Sequence, residues 1–262
     1  MAASKIRAEE AGEMSKGTLV VTGAGRGIGA AVARIASREG FAVALNYRAD
    51  QEGAFAVRDA IEASGGRAAC FQGDVSRETD VAALFDASER ELGPVTGLVN
   101  NAGITGKLGR LDVMEADDIA RVLAINVTGT LLCSREAVRR MSTKRGGAGG
   151  VIVNISSRAA DIGGAGEWVH YAASKGAVNT FTIGLAREVA QEGIRVNAVS
   201  PGLIETDIHA AAGVPDRVQR MSPLIPMARA GTADEVAEAA AWLLSDKASY
   251  VTGAILNVGG GR

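Results

Sequence analysis

From Thr18 onward, short continuous runs of apolar and β-branched residues alternate with amphipathic stretches, and this alternation restricts the fold more than any other feature of the chain. The runs are TLVVTG (18–23), FAVALNY (41–47), RAACFQGD (67–74), TGLVNNAG (96–103), GGVIVNISS (149–157), GIRVNAVSPG (193–202) and GAILNVGG (253–260). Between them apolar residues recur at helical spacing, as in Ile28, Ala31, Val32, Ile35 and Ala36, in Val178, Phe181, Leu185 and Val189, and in Val236, Ala240, Leu243 and Leu244. Strands apolar on both faces and separated by helices predict a parallel sheet with right-handed crossovers. The expectation is one doubly wound α/β domain over residues 17–262, with a seven-stranded parallel sheet and helices on both faces, behind a flexible tail at 1–16. GGAGEW (163–168) and Leu203–Met227 read as loosely organised loops after strand ends, the rim where open α/β sheets bind ligands.

Composition removes several classes of function. Lys and Arg number 28 against 30 Asp and Glu, a balance with no excess to neutralise a phosphate backbone, so no nucleic-acid partner is expected. No run of about 18 apolar residues occurs, so no membrane span is expected. The first residues lack a secretory apolar stretch, and Cys70 and Cys133 form no C-x-x-C pair, which points to a reducing cytoplasm. His170 and His209 stand without metal-ligand spacing, so no metal is expected; His170 reads as a surface histidine, and His209 as a loop residue that could touch substrate.

Thr22-Gly23-Ala24-Gly25-Arg26-Gly27-Ile28-Gly29 joins the first strand to the first helix. Such a loop offers free backbone N–H groups and a positive helix end to a pyrophosphate. Gly23 permits the turn, Gly27 the approach of the cofactor, and Gly29 the packing of helix on sheet. An acid about 20 residues on would select NAD, but the second strand ends Asn46-Tyr47-Arg48, with neutral or basic groups. Arg48 and Arg26 facing a 2′-phosphate could each add roughly 1.5–3 kcal/mol, which favours NADP(H) over NAD(H). Asp50 opposes that choice unless it caps the next helix, as ADQE suggests. Asp74 can accept from an adenine amino group or serve only a strand-end turn.

Tyr171-Ala-Ala-Ser-Lys175 sets a phenol and an ammonium one helical turn apart. A Lys⁺ about 4 Å away, at an effective dielectric near 20, interacts by roughly 4 kcal/mol, enough to bring a tyrosine near pKa 10 into the working range of proton exchange.

Taken in order, Thr22–Gly29, Asn100-Asn-Ala-Gly103, Asn126, Ser156-Ser157, Tyr171-x-x-x-Lys175 and Pro201-Gly202 resemble the short-chain dehydrogenase/reductase family in its roughly 250-residue branch. The resemblance implies a Rossmann fold, with Gly23, Gly25, Arg26, Gly27, Ile28 and Gly29 on the dinucleotide and Asp74 and Val75 beside the adenine end. It implies that Tyr171 exchanges the proton of a carbonyl or alcohol, Lys175 lowers its pKa and bonds the nicotinamide ribose, Ser157 steadies the substrate oxygen, and Asn126 holds a relay water. Asn100, Ala102 and Gly103 would line the cofactor, and Pro201, Gly202 and Thr206 would border the nicotinamide.

One departure stands out. The catalytic serine of many relatives lies 13 residues before the tyrosine, which here falls on Arg158, so a one-residue insertion is inferred and Ser157 chosen, with Ser156 as runner-up. The resemblance further implies a small-molecule carbonyl or alcohol substrate and a homotetramer. Arg139, Arg140, Lys144 and Arg145 are either a solvated helix end or a dock for an acyl-carrier protein, as in 3-oxoacyl-carrier-protein reductases. Glu167 and Trp168 are expected at the substrate mouth. The alternatives are an NAD-dependent sugar or alcohol dehydrogenase and a catalytically idle dinucleotide-binding protein.

Overall fold

The computed structural model describes residues 16–262, so most of the expected tail lies outside the described residues. Seven strands form one parallel sheet: β1 (Thr18–Val21), β2 (Ala42–Tyr47), β3 (Ala68–Gln72), β4 (Val95–Asn100), β5 (Gly150–Ile155), β6 (Ile194–Pro201) and β7 (Ile255–Val258). Their order in space is β3-β2-β1-β4-β5-β6-β7. The direction of winding reverses between β1 and β4, and a crevice therefore opens beyond their carboxyl ends.

Alternate strand residues feed opposite layers, as the two-residue period requires. Leu19, Val21, Val43, Leu45, Val99 and Val153 point to one face, against α1 (Gly27–Arg38), α2 (Gln51–Ala63) and α7 (Ala233–Leu244). Val20, Ala44, Leu98, Ile152 and Val196 point to the other, against α3 (Glu78–Leu92), α5 (Gly129–Met141) and α6 (Val169–Val189). Two of these helices begin with caps that their sequence supplies. Asp50 accepts a bond from Gly53 N at 3.1 Å and caps α2, and Thr232 and Glu235 form a reciprocal capping box on α7. Between α4 (Ala116–Leu123) and α5 the helix runs on through a wider, π-type turn at Ala124–Thr128, which carries Asn126.

The segment after β6 is more ordered than its composition suggests. Short helices at Ile208–Ala211 and Arg217–Met221 fold over a small core of Leu203, Ile225 and Ala230. An isolated parallel bridge, Ile204 to Gly231, closes the segment's base. The side chain of His209 lies outside the described residues.

Candidate active site

The crevice at the β1–β4 switch is floored by the glycine loop. Gly23 has φ +63°, a conformation that favours glycine, and a Cβ on Gly29 would lie 2.5 Å from the Gly23 carbonyl and 2.4 Å from Asn101 Nδ2. Neighbouring residues pin the loop. Asn101 Nδ2 donates to the carbonyls of Thr22 and Gly23, both at 2.9 Å, and Thr22 Oγ1 accepts from the N–H groups of Asn101 and Ala102 at 3.0 Å. The amino end of α1 has no side-chain cap and no acid in its first turn, so its free N–H groups and dipole face the crevice. A cleft of about 590 Å³ extends from this loop past Arg26, Arg48, Asp74 and Val75 to Ala102, Gly103 and Thr206. It adjoins a second pocket of about 370 Å³, which contains Ser157, Tyr171, Lys175, Pro201 and Gly202, and Ile28, Gly103 and Thr206 belong to both. An uncapped helix start, a glycine cradle and a trough of this length fit a dinucleotide whose nicotinamide end reaches Tyr171.

Of the residues expected on the cofactor, Asn46 and Tyr47 line the cleft and Asn100 lines neither pocket. Asn100 is buried, and its Nδ2 donates to Ser134 Oγ at 2.9 Å and to Asn154 Oδ1 at 2.8 Å. Its neighbour Asn101, to which sequence reasoning assigned no role, lines the cleft instead. Asn46 lines the cleft while its amide donates to the carbonyls of Phe71 and Gly73 and ties β2 to β3. Tyr47 is buried edge-on against Phe55, with ring centroids 6.3 Å apart. Arg26 and Arg48 remain as exposed cations at that end; Arg48 lies 3.6 Å from Asp74 Oδ2. Burial works against the Asp74 carboxylate, but bonds from Ser76 and the charge of Arg48 hold its pKa below the usual range.

At the other end of the trough, α6 carries Tyr171 and Lys175 on the turn facing β5. Burial pushes the Tyr171 phenol up from its ordinary pKa, and a hydrogen bond with Ser157 draws it part of the way back. Burial pushes Lys175 down to about 8. Its ammonium lies 5.7 Å from the centre of the Tyr171 ring and donates to the Ile155 carbonyl at 2.7 Å. Burial and Ser157 act on the phenol here, and the ammonium stands beside its ring. Ser156 lines the same pocket, but its hydroxyl donates to Asn179 Oδ1 at 2.6 Å, with the Lys175 carbonyl 3.3 Å away. Asn126 is buried, with Oδ1 accepting from Ile104 N and Nδ2 donating to the Ile104 carbonyl and Ser174 Oγ. Its side chain thus braces the strand-end segment against α6.

The mouth of the Tyr171 pocket is built from distant segments. Arg217 makes a bidentate pair with Glu167, both bonds 2.7 Å, and its guanidinium stacks 4.6 Å from the Trp168 ring. Trp168 Nε1 donates to the Gly106 carbonyl at 3.2 Å. The Arg217 partner holds the Glu167 carboxyl below its usual range against the opposing effect of burial. His170 is not on the surface: it is 5% exposed, has no protein hydrogen-bond partner on either ring nitrogen, and lies with Nε2 3.5 Å from Asp118 Oδ2. The basic run is largely neutralised from within, Arg139 and Arg140 by Glu136, Arg140 also by Asp86 and Glu89, and Lys144 by Glu192. Among the described residues no three His, Cys, Asp or Glu side chains converge on a metal site, and no helix is long and apolar enough to cross a membrane.

Comparison with known proteins agrees with this fold. A family profile described as enoyl-(acyl carrier protein) reductase matches residues 23–262. An uncharacterized oxidoreductase of Escherichia coli K12, YgfF, is 51% identical over 243 residues, 93% of this chain and 98% of that protein. The chain belongs to the short-chain dehydrogenase/reductase family. The 3beta-hydroxysteroid dehydrogenase 1 of Eggerthella lenta is 44% identical over 248 residues, 93% of this chain and 92% of that protein. The crystal structure of a blue fluorescent protein from a metagenomic library, in complex with NADPH, superposes with a TM-score of 0.86 at 34% identity, covering 95% of this chain and 99% of that one. The enzyme is an NAD(P)-dependent oxidoreductase acting on carbonyl or CH–OH groups, with a nicotinamide dinucleotide as cofactor.

Proposed function

We propose that the enzyme is an NADP(H)-dependent reductase of ketones or aldehydes, reversible to alcohol oxidation, with Tyr171 as the general acid and base. The observation that carries this reading is the Tyr171 phenol beside Ser157, at one end of a continuous trough whose other end holds Arg26 and Arg48. The dinucleotide, when bound, supplies or accepts the hydride; the protein's part is orientation and proton control. Ser157 Oγ and Tyr171 Oη converge on the position of a substrate oxygen. During reduction Tyr171 gives its proton to that oxygen as negative charge develops, and Ser157 donates a hydrogen bond to the same atom. The Lys175 ammonium below the ring stabilises the phenolate left behind, and Asn126 acts as a positioning residue that fixes the Ile104 segment against α6. Ser157 is the functional serine and Ser156 a structural one.

The preference for NADP(H) rests on two unneutralised or weakly paired guanidiniums at the adenosine end. A second reading has a specific observation behind it: Asp50 Oδ2 lies 3.0 Å from the position of a Gly25 Cβ, close enough to the loop to meet a ribose 2′-hydroxyl. Fluorescence titration of the enzyme with NADPH and NADH tests the two. NADPH should bind at least tenfold tighter, and Arg48→Ala with Arg26→Ala should remove that margin. Tighter NADH in the unaltered enzyme would assign the ribose to Asp50 and overturn the NADP(H) reading.

The reading extends to a cytoplasmic homotetramer. Leu123, Leu131 and Ile183 on α4–α6 and Trp242 and Tyr250 near the last strand are exposed large apolar side chains, the kind of surface that helix and strand pairing between copies would cover.

A further inference from the structure

We propose that His170 is a positioning residue: with Asp118, its buried imidazole holds the 104–107 segment where that segment borders both the dinucleotide cleft and the Tyr171 pocket. This rests on the oxidoreductase reading above and adds a residue to the same site. Ile104, Thr105, Gly106 and Lys107 all line the cleft, and Thr105 lines the Tyr171 pocket as well. The start of the segment is fixed by Asn126, whose side chain takes both the N–H and the carbonyl of Ile104, at 2.9 and 2.8 Å.

The far end depends on the peptide between Gly106 and Lys107. Its carbonyl accepts from Trp168 Nε1 at 3.2 Å, and its N–H donates to Asp118 Oδ2 at 2.8 Å. The imidazole lies against the same peptide. Gly106 has φ +75°, and a Cβ there would sit 2.4 Å from His170 Nε2 and 2.7 Å from Asp118 Oδ2, so a glycine is needed for the backbone to rest on the ring. His170 Nε2 is also 3.5 Å from Asp118 Oδ2, the oxygen that holds Lys107. The two side chains are 2% and 12% exposed, so their attraction is poorly screened, whereas the neighbouring cations Lys107 and Arg121 are exposed to water.

Two adjacent stripes of α6 therefore serve the site. Tyr171 and Lys175, four residues apart, line the pocket, while His170 and Ser174, also four apart, hold the segment, Ser174 through Asn126. Packing alone would be served better by an apolar side chain at position 170, because both ring nitrogens are buried without a hydrogen-bond partner among the described residues.

The test compares His170→Leu with His170→Gln, which keeps an N–H donor at a reach similar to that of Nε2. Hydrogen exchange followed by mass spectrometry reads residues 103–108, where Ile104 and Lys107 carry the bonded amides. Fluorescence titration with NADPH and with NADH reads dinucleotide affinity. In His170→Leu, exchange in the segment should quicken about fivefold or more and affinity for the tighter dinucleotide should fall about fivefold or more, while the urea midpoint stays level or rises. His170→Gln should recover most of both losses. A histidine that only fills space gives another pattern: a lower urea midpoint, faster exchange across the whole chain and no rescue by glutamine. That pattern, or a segment and an affinity unchanged in His170→Leu, refutes the proposal. If the unaltered enzyme binds neither dinucleotide, the oxidoreductase reading fails instead, and exchange together with the urea midpoint decides the role of His170.

Discussion

Lys175 offers a prediction whose size follows from its surroundings. Burial takes its pKa from 10.5 to about 8, so at pH 7 the ammonium binds its proton less tightly in the folded enzyme than in the unfolded chain, a difference of about 3 kcal/mol against folding. Lys175→Met removes that burden but also deletes the 2.7 Å bond to the Ile155 carbonyl, which costs about 1–2 kcal/mol. The cofactor-free variant should therefore be more stable at pH 7 by about 1–2 kcal/mol, a rise of a few degrees in Tm, while losing most of its turnover. The pH dependence is the sharper readout. A base with a depressed folded pKa costs stability in full below about 8. The cost then falls as pH rises from about 8 toward 10.5, because the folded enzyme has given up a proton that the unfolded chain still holds.

 The Lys175→Met variant is the neutral reference. Across this window the unfolded chain holds more protons than the folded one, so the unaltered enzyme gains stability relative to the variant. At pH 9.5 the advantage of the variant should have shrunk by about 2 kcal/mol. Urea unfolding of both proteins at pH 7 and 9.5 measures this, and groups common to the two cancel. An advantage equal at both pH values would mean that the ammonium is not desolvated, and the account of Lys175 would be wrong.

Two further outcomes are expected. Ser157→Ala should lower turnover about 10²-fold with little loss of stability, whereas Ser156→Ala should lose about 1–2 kcal/mol in urea unfolding through its bonds to Asn179 and Lys175 and keep most of its turnover; the reverse pattern would exchange their roles. Gly29→Ala drives a methyl group into the Gly23 carbonyl and the Asn101 amide, so dinucleotide affinity measured by fluorescence should fall at least tenfold; unchanged affinity would show that the loop does not need its close packing.

The strands were legible because parallel strands covered on both faces have to be apolar at every position, and such runs stand out without any partner being known. The glycine loop was legible for a related reason, since a strand, a tight turn and a helix start occupy consecutive residues. The pair Asn100 and Asn101 was not resolved at that level. Both are asparagines at the end of β4, and only the pleat of that strand within the sheet decides that Asn100 enters the core and Asn101 reaches the loop. The burial of His170 was hidden for a comparable reason. Adjacency to Tyr171 on a helix says that the two diverge, but its burial depends on the Ile104–Lys107 segment and α4 folding across it.

The substrate end depends most on long-range contact. Glu167 and Arg217 are 50 residues apart, and Arg158 meets the Arg262 carbonyl across 104 residues. No local pattern marks those pairs. The sequence alone determined the parallel sheet, the phosphate loop and the Tyr171–Lys175 pair, because each arises from residues within one strand, one turn or one helix. Tertiary structure decided which serine meets the phenol, which asparagine meets the loop and which acid meets Arg217, because those outcomes depend on what else arrives at the same point in space.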